Sequence, residues 1–422
     1  MSCCEPASEQ EDGRPRLEVA DIFRAHGDAY ARSHVLTPDQ DRVIQDIVRC
    51  RTAELGGHLD KCERCGHERP SYNSCRNRHC PKCQSLAQAK WIEKRKERIL
   101  PIHYFHAVFT LPSELRPLTL GNRKTIFALL FEAGSRTLLD LARDPKRLGA
   151  QLGITAVLHT WTRELRPHPH IHCIVTGGGL DPSGDRWVPT KLEKYLFPRE
   201  VIAKLFRGKF LDALKRAYKN EKLRFRSAYK ELADPTFFQV FVDKLYNIKW
   251  GVYAKRPFGG PQQIFDYLGR YTHRVAISNH RLISSDDDGI TFITKRDKTT
   301  TLTITLPHQE FIRRFLLHIL PKGFVKIRHF GLKASGNVNT KLVRARELLE
   351  EQNPSVATDS NREVANQSDA QETESWQEQM RRLTGTDLSI CPLCGEGKMI
   401  RHPLPKDRSM SNAREPPGEA GG

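Results

Sequence analysis

The chain has 422 residues, 38% of them hydrophobic, a length that suits two to three domains built on a substantial core. Lys and Arg number 68 against 50 Asp and Glu, a formal charge of +18 that exceeds what solubility requires and points to a polyanionic partner. No apolar run reaches the roughly eighteen residues that span a bilayer, and the opening MSCCEPASEQEDGRPR is acidic where a secretory signal is basic and then apolar, so the expectation is a cytoplasmic protein with no membrane partner.

Residues 1–35 read as a polar leader with a short helix, carried by the periodic Val19, Ile22 and Phe23. Residues 36–100 hold a cysteine cluster closed by SLAQAKWIEKRKERIL, a helical segment dense in Lys and Arg that suits a phosphate backbone. Residues 101–332 alternate strand-like runs (HYFHAVFTL, GITAVLHTW, HIHCIVT, RVAISN, GITFIT, TLTITL) with helical ones (KTIFALLFEAGSRTLLDLARD, HQEFIRRFLLHIL). Several strands are a hairpin's length apart, which predicts an α/β (α+β) domain, a mostly antiparallel sheet flanked by helices. Residues 333–422 read as a linker and disordered tail, since 351–380 are polar, acidic and short of β-branched and aromatic side chains. A terminal CxxC, Cys391 and Cys394, looks like half a zinc ribbon with no second pair after it.

Six of the 11 cysteines fall between Cys50 and Cys83, clustering that favours metal over a disulfide framework. Cys62-x-x-Cys65 and Cys80-x-x-Cys83 are two knuckles at the separation expected of one four-thiolate Zn²⁺ site. Cys50, His58, Cys75 and His79 bring the potential ligands to eight, the number that two closed sites need; the alternatives are redox use of the thiols, or small buried cysteines beside surface histidines. Arg76 and Arg78, between Cys75 and His79, suit phosphate contacts.

In HPHIHCIVTGGGL, His168, His170 and His172 alternate with Ile171 and Cys173, so an extended strand turns the imidazoles to one face and the apolar side chains to the other. Two neutral imidazoles at i and i+2 can grip a divalent ion and leave positions open for a scissile phosphate. A hairpin through RELRPH with its turn near Leu165 would set His159 across from His172 as a third ligand, with His168 as the other candidate. The competing reading is a half-exposed strand with polar histidines outward.

GGPQQIFDYLGRYTHR reads as a helix opening at Pro261, with Tyr267 and Tyr271 one turn apart on one face. A tyrosine oxygen can attack a phosphodiester and hold the DNA covalently. Ile264, Tyr267, Leu268 and Tyr271 also follow the spacing of an ordinary core stripe, while Arg270 and Arg274 could neutralise phosphates.

These segments resemble the rolling-circle transposases of the insertion sequence 91 family, within the two-tyrosine HUH endonuclease superfamily. The resemblance is carried by LGGHLDKCERCG and YNSCRNRHCPKCQ, by HPHIHCIVTGGGL, by YAKRPFGGPQQIFDYLGRYTHRVAISNHRL and by FIRRFLLHILPKGFVKIRH. It implies a nuclease core at 101–332 in which His170 and His172 hold Mg²⁺ or Mn²⁺ and Tyr267 and Tyr271 form transient 5′-phosphotyrosine links with single-stranded DNA at transposon ends and targets. It further implies that the 36–100 module binds DNA, and it leaves the third metal ligand open. A plasmid replication initiator or relaxase would share the histidine and tyrosine chemistry. A zinc-dependent DNA-binding regulator would have the same cysteines and no catalysis.

Overall fold

A computed structural model describes residues 17–83, 98–191, 196–255, 276–295, 300–352 and 387–407, with isolated positions at 88–95 and 378–385. The chain divides into two compact units, one of residues 1–89, 277–312 and 364–422, the other of residues 90–276 and 313–363. Both are α+β, and every strand pairing is antiparallel. Elements are labelled in chain order.

The first unit opens with α1 (Val19–Ser33) and α2 (Pro38–Arg49). In α2, Thr37 accepts a hydrogen bond from the Gln40 N–H and Pro38 sits in the first turn, a start that satisfies an orphan donor and uses the fixed proline φ. Val19, Ile22 and Phe23 of α1 and Val43, Ile44 and Ile47 of α2 are buried, the stripe that the spacing predicts. A hairpin follows, β1 (Gly57–Cys62) and β2 (Glu68–Tyr72), and β12 (Met399–Leu404) joins it in the order β12-β1-β2. The buried Asp60 on β1 accepts from Arg69 on β2 and from Arg401 on β12 at 2.8 Å, a charge-assisted tie across all three strands. A second sheet, β8 (Leu282–Asp286), β9 (Gly289–Lys295) and β10 (Thr301–Leu306), completes this unit.

In the second unit the sheet order is β11-β4-β5-β3-β7, from Ile327–Gly331, Gln151–Trp161, Pro167–Leu180, Tyr104–Thr110 and Gly251–Lys255, with β6 (Trp187–Pro189) paired to β5. One face is covered by α3 (Arg116–Gly121), α4 (Arg123–Arg143), α5 (Arg199–Lys219) and α6 (Pro235–Asn247). Their Leu130, Phe131, Phe206 and Phe210 bury against Phe105, Phe109, Ile154, Leu158 and Ile171 of the strands. Helix α4 comes close to the sheet at Gly134, where a Cβ would lie 2.7 Å from Ile171 Cδ1. The opposite face carries His106, Thr155, His159, His170, His172 and His329, as the alternation along paired strands requires.

Three expectations change. Residues 276–278 of the RVAISN run form no strand, and the chain extends only from Leu282. Residues 333–422 are not all tail, since they contain a helix, Lys341–Gln352, and β12. The divisions at 36, 101 and 333 also differ from the compact units, because residues 277–312 and the terminal strand belong with the cysteine module.

Candidate metal and nucleic-acid site

The eight clustered thiols separate into two groups of four, Cys50, Cys75, Cys80 and Cys83, and Cys62, Cys65, Cys391 and Cys394. This corrects the expected pairing of Cys62 and Cys65 with Cys80 and Cys83, and it gives the terminal CxxC its missing partner. The reason is the β12–β1 register, in which Met399 lies opposite Cys62 and brings the terminal turn beside the first knuckle. Cys62 Sγ is 3.7 Å from Cys394 Sγ, and Cys65 Sγ is 3.7 Å from Cys391 Sγ. Four sulfurs about 2.3 Å from a tetrahedral zinc are about 3.8 Å apart, so these spacings suit the ion. A Cβ at Gly397 would stand 2.4 Å from Cys62 Sγ and 3.3 Å from Cys394 Sγ, so the bare glycine lets the sulfurs approach. The Gly397 N–H donates to Cys394 Sγ at 3.3 Å and helps to draw its pKa down to about 7, toward the thiolate that metal takes.

In the other group Cys50 closes on Cys83 at 3.2 Å and Cys75 on Cys83 at 3.5 Å. His58 and His79 belong to neither group. His58 Nε2 instead lies 3.7 Å from Asp60 Oδ2, and the His79 N–H donates to Asn77 Oδ1; with four thiols in each group, no imidazole is needed to close a site. Arg76 and Arg78 are exposed on the loop that carries Cys75.

The histidines meet in the second unit. His159 on β4 and His170 and His172 on β5 form a group whose ligand nitrogens lie within 4.8 Å of one another. The turn does centre on Leu165, which has φ 60°, but His159 pairs with His170 and Val157 pairs with His172. The register is two residues from the expected one, an even shift that keeps His159 on the same face. His168 stays outside the group, and its carbonyl accepts from His170 Nδ1 at 2.6 Å. That bond fixes the tautomer: with Nδ1 protonated, His170 Nε2 keeps a free lone pair. Burial holds the His170 pKa at about 4, leaving the ring neutral, the form that binds metal.

A fourth imidazole was hidden in HYFHAVFTL. His106 on β3 places Nε2 3.0 Å from His172 Nδ1, and burial followed by the His170 charge lowers its pKa to about 4. Its spacing of three from His103 showed no alternation, so only the β3–β5 register reveals it. His318 anchors the same hairpin, donating from Nε2 to the Leu165 carbonyl at 2.9 Å. Tyr267, Tyr271, Arg270 and Arg274 lie outside the described residues.

A family model described as "Transposase zinc-binding domain" matches residues 22–111, and one described as "Putative transposase" matches residues 153–341. The "Putative transposase y4qJ" of Sinorhizobium fredii (strain NBRC 101917 / NGR234) is 44% identical over 386 residues, 91% of this chain and 94% of the relative. The chain belongs to the insertion sequence 91 family of transposases. A further transposase, that of insertion sequence element IS801 from Pseudomonas savastanoi pv. phaseolicola, is 29% identical over 318 residues, 74% of each chain. No solved structure matches. As a transposase the protein has DNA as its partner, and its zinc-binding region carries six of the eight grouped thiols, Cys391 and Cys394 lying outside it. Among the described residues no helix is long and apolar enough to cross a membrane.

Proposed function

We propose that this transposase nicks and transfers single-stranded DNA through 5′-phosphotyrosine intermediates, in a divalent-metal-dependent, rolling-circle-like reaction. The observation that carries this reading is the convergence of His159, His170 and His172 on the sheet face opposite the helices, three imidazoles whose nitrogens lie within 4.8 Å of one another and leave positions of a divalent ion free. Mg²⁺ or Mn²⁺ held there would supply Lewis-acid polarisation of a phosphoryl oxygen. Tyr267 and Tyr271 are the nucleophiles. A tyrosine oxygen bonds to phosphorus as its proton leaves, the P–O3′ bond breaks, and the 3′ oxygen departs and is protonated; the 5′ phosphate stays on the protein, so the bond energy is kept for rejoining. Two thiolate sites, Cys50/Cys75/Cys80/Cys83 and Cys62/Cys65/Cys391/Cys394, hold structural Zn²⁺, with Arg76 and Arg78 on a DNA-facing loop and Arg270 and Arg274 on phosphates near the nucleophiles.

The deciding experiment incubates the protein with end-labelled single-stranded oligonucleotide and Mg²⁺ and looks for a covalent adduct that survives denaturation. Tyr267→Phe with Tyr271→Phe should fold, bind the oligonucleotide and give no adduct, because the rings stay and only the attacking atoms go. An adduct formed by the double variant overturns the assignment of the nucleophiles.

A further inference from the structure

Elsewhere on the face that carries the histidines, basic groups crowd together with no counter-charge among the described residues. Lys333 is 4% exposed, and its ammonium is 4.7 Å from the centre of the Tyr104 ring. Arg95, Arg98, His329, Thr155 and Trp91 line the same small cleft. The Nε of Arg95 is buried without a hydrogen-bond partner among the described residues, and its guanidinium lies over the Trp91 ring at 5.2 Å. His329 accepts or donates to the Thr155 hydroxyl at 3.0 Å, and after burial itself the charges of Arg95, Lys333 and Arg98 keep it neutral. Among the described residues no carboxylate lines this cleft.

A buried ammonium with like charges around it is costly to hold; burial draws the Lys333 pKa down to about 7, and an entering anion would hold the charged form. The cleft has room for about 10 Å³ of water-sized occupant, enough for one oxygen atom and not for a nucleoside. Thr155 and His159 are four residues apart on β4 and face the same way, so the cleft lies roughly 13 Å along the strand from the histidine group. Resting on the single-strand cleavage reading above, we propose that Lys333, Arg95 and Arg98, with Thr155 and His329, form an anchoring site for a backbone phosphate of the substrate strand. It takes one non-bridging oxygen of a phosphodiester to one side of the linkage that is cut. A phosphate on this site would fix the register of the strand across the histidines without reading a base.

Free phosphate has the same chemistry, so the test has two arms, both run without divalent metal so that failure of the cleavage reading cannot be confused with failure of this one. In the first, a labelled twelve-residue oligothymidylate is titrated at several KCl concentrations into the full-length protein, Lys333→Met and the pair Arg95→Gln with Arg98→Gln. The Met side chain refills the buried volume, and melting curves check each fold. Lys333→Met should weaken binding about tenfold, and its slope of log K against log salt should shrink by about 0.7, the value for one phosphate contact on a single strand. In the second arm, melting temperature is followed in inorganic phosphate against chloride at equal ionic strength. The full-length protein should gain more than Lys333→Met. Unchanged affinity and slope in both folded variants overturns the proposal. A phosphate-specific gain in melting temperature with unchanged oligonucleotide affinity overturns it too, because the site would then serve a free ion.

Discussion

His106 contacts no metal in the proposed site, yet its ring is stacked within 2° of parallel to that of His172 and within hydrogen-bond distance of its Nδ1. A ligand histidine uses one nitrogen for the ion and needs the other held, which fixes both tautomer and ring orientation. His106→Ala should therefore lower Mn²⁺ affinity about tenfold to a hundredfold, while His170→Ala removes binding altogether; calorimetric titration of the folded variants with Mn²⁺ reads both. Equal affinity in His106→Ala and the parent would show that His172 is oriented by other means. Acid acts on the same class of residue. His318 is fully buried and held at about 4, by burial first, with its Nε2–H committed to the Leu165 carbonyl. A pKa lowered in the folded state means that the unfolded chain binds the proton more readily, so the stabilisation is complete above about 6.5 and is lost as pH falls toward 4. The melting temperature of the unit formed by residues 90–276 and 313–363 should drop across that interval, and His318→Asn should flatten the drop; an identical pH profile in the variant would remove His318 from the explanation.

At the level of elements, the sequence reveals strands wherever one side is apolar and the other is not. The 168–172 alternation, the 124–144 helix and the β9 and β10 runs all fold as their periods say. What it could not reveal were pairings between distant segments. The third CxxC at 391–394 supplies the last two of eight clustered thiols, and counting thiols alone would have filled two closed sites without His58 or His79. No local signal says which pair joins which, because that follows from β12 lying along β1. Metal analysis should find two zinc ions per chain, and Cys391→Ser should leave one; two retained ions would restore the sequence-based pairing of Cys62 and Cys65 with Cys80 and Cys83. The sheet's covered face makes a separate demand on α4. Gly134→Ala would drive a methyl into Ile171 and Phe109, an overpacking that should cost roughly 1–3 kcal/mol, measured by urea unfolding. A neutral substitution would mean that the helix can lift from the strands.

Over the whole molecule, the charge of +18 makes DNA affinity a property of ionic strength. Lys and Arg contacts to a single strand release counterions, so log K should fall steeply and linearly with log salt. A flat dependence between roughly 50 and 200 mM KCl would separate the basic composition from DNA binding. The histidine group was legible in sequence because its five-residue alternation is local, whereas the one-turn tyrosine spacing falls outside the described residues. The phosphate cleft was not legible, since Arg95, Thr155 and Lys333 share no motif and meet only through the β4–β11 register.

Cys62 and Cys394 are separated by 332 positions in the chain, and that distance sets an order of events during synthesis. The Cys50/Cys75/Cys80/Cys83 group can close as soon as residue 83 leaves the ribosome, whereas its counterpart must wait until nearly all the protein has been translated. At roughly 5–20 residues per second the delay is on the order of fifteen seconds to a minute, during which Cys62 and Cys65 are exposed as a half-formed knuckle. Closing so long a loop adds only about 3 kcal/mol over a short one, well within what four thiolates return on binding zinc. A chain truncated before Cys391 would lack two of the four thiols of this group.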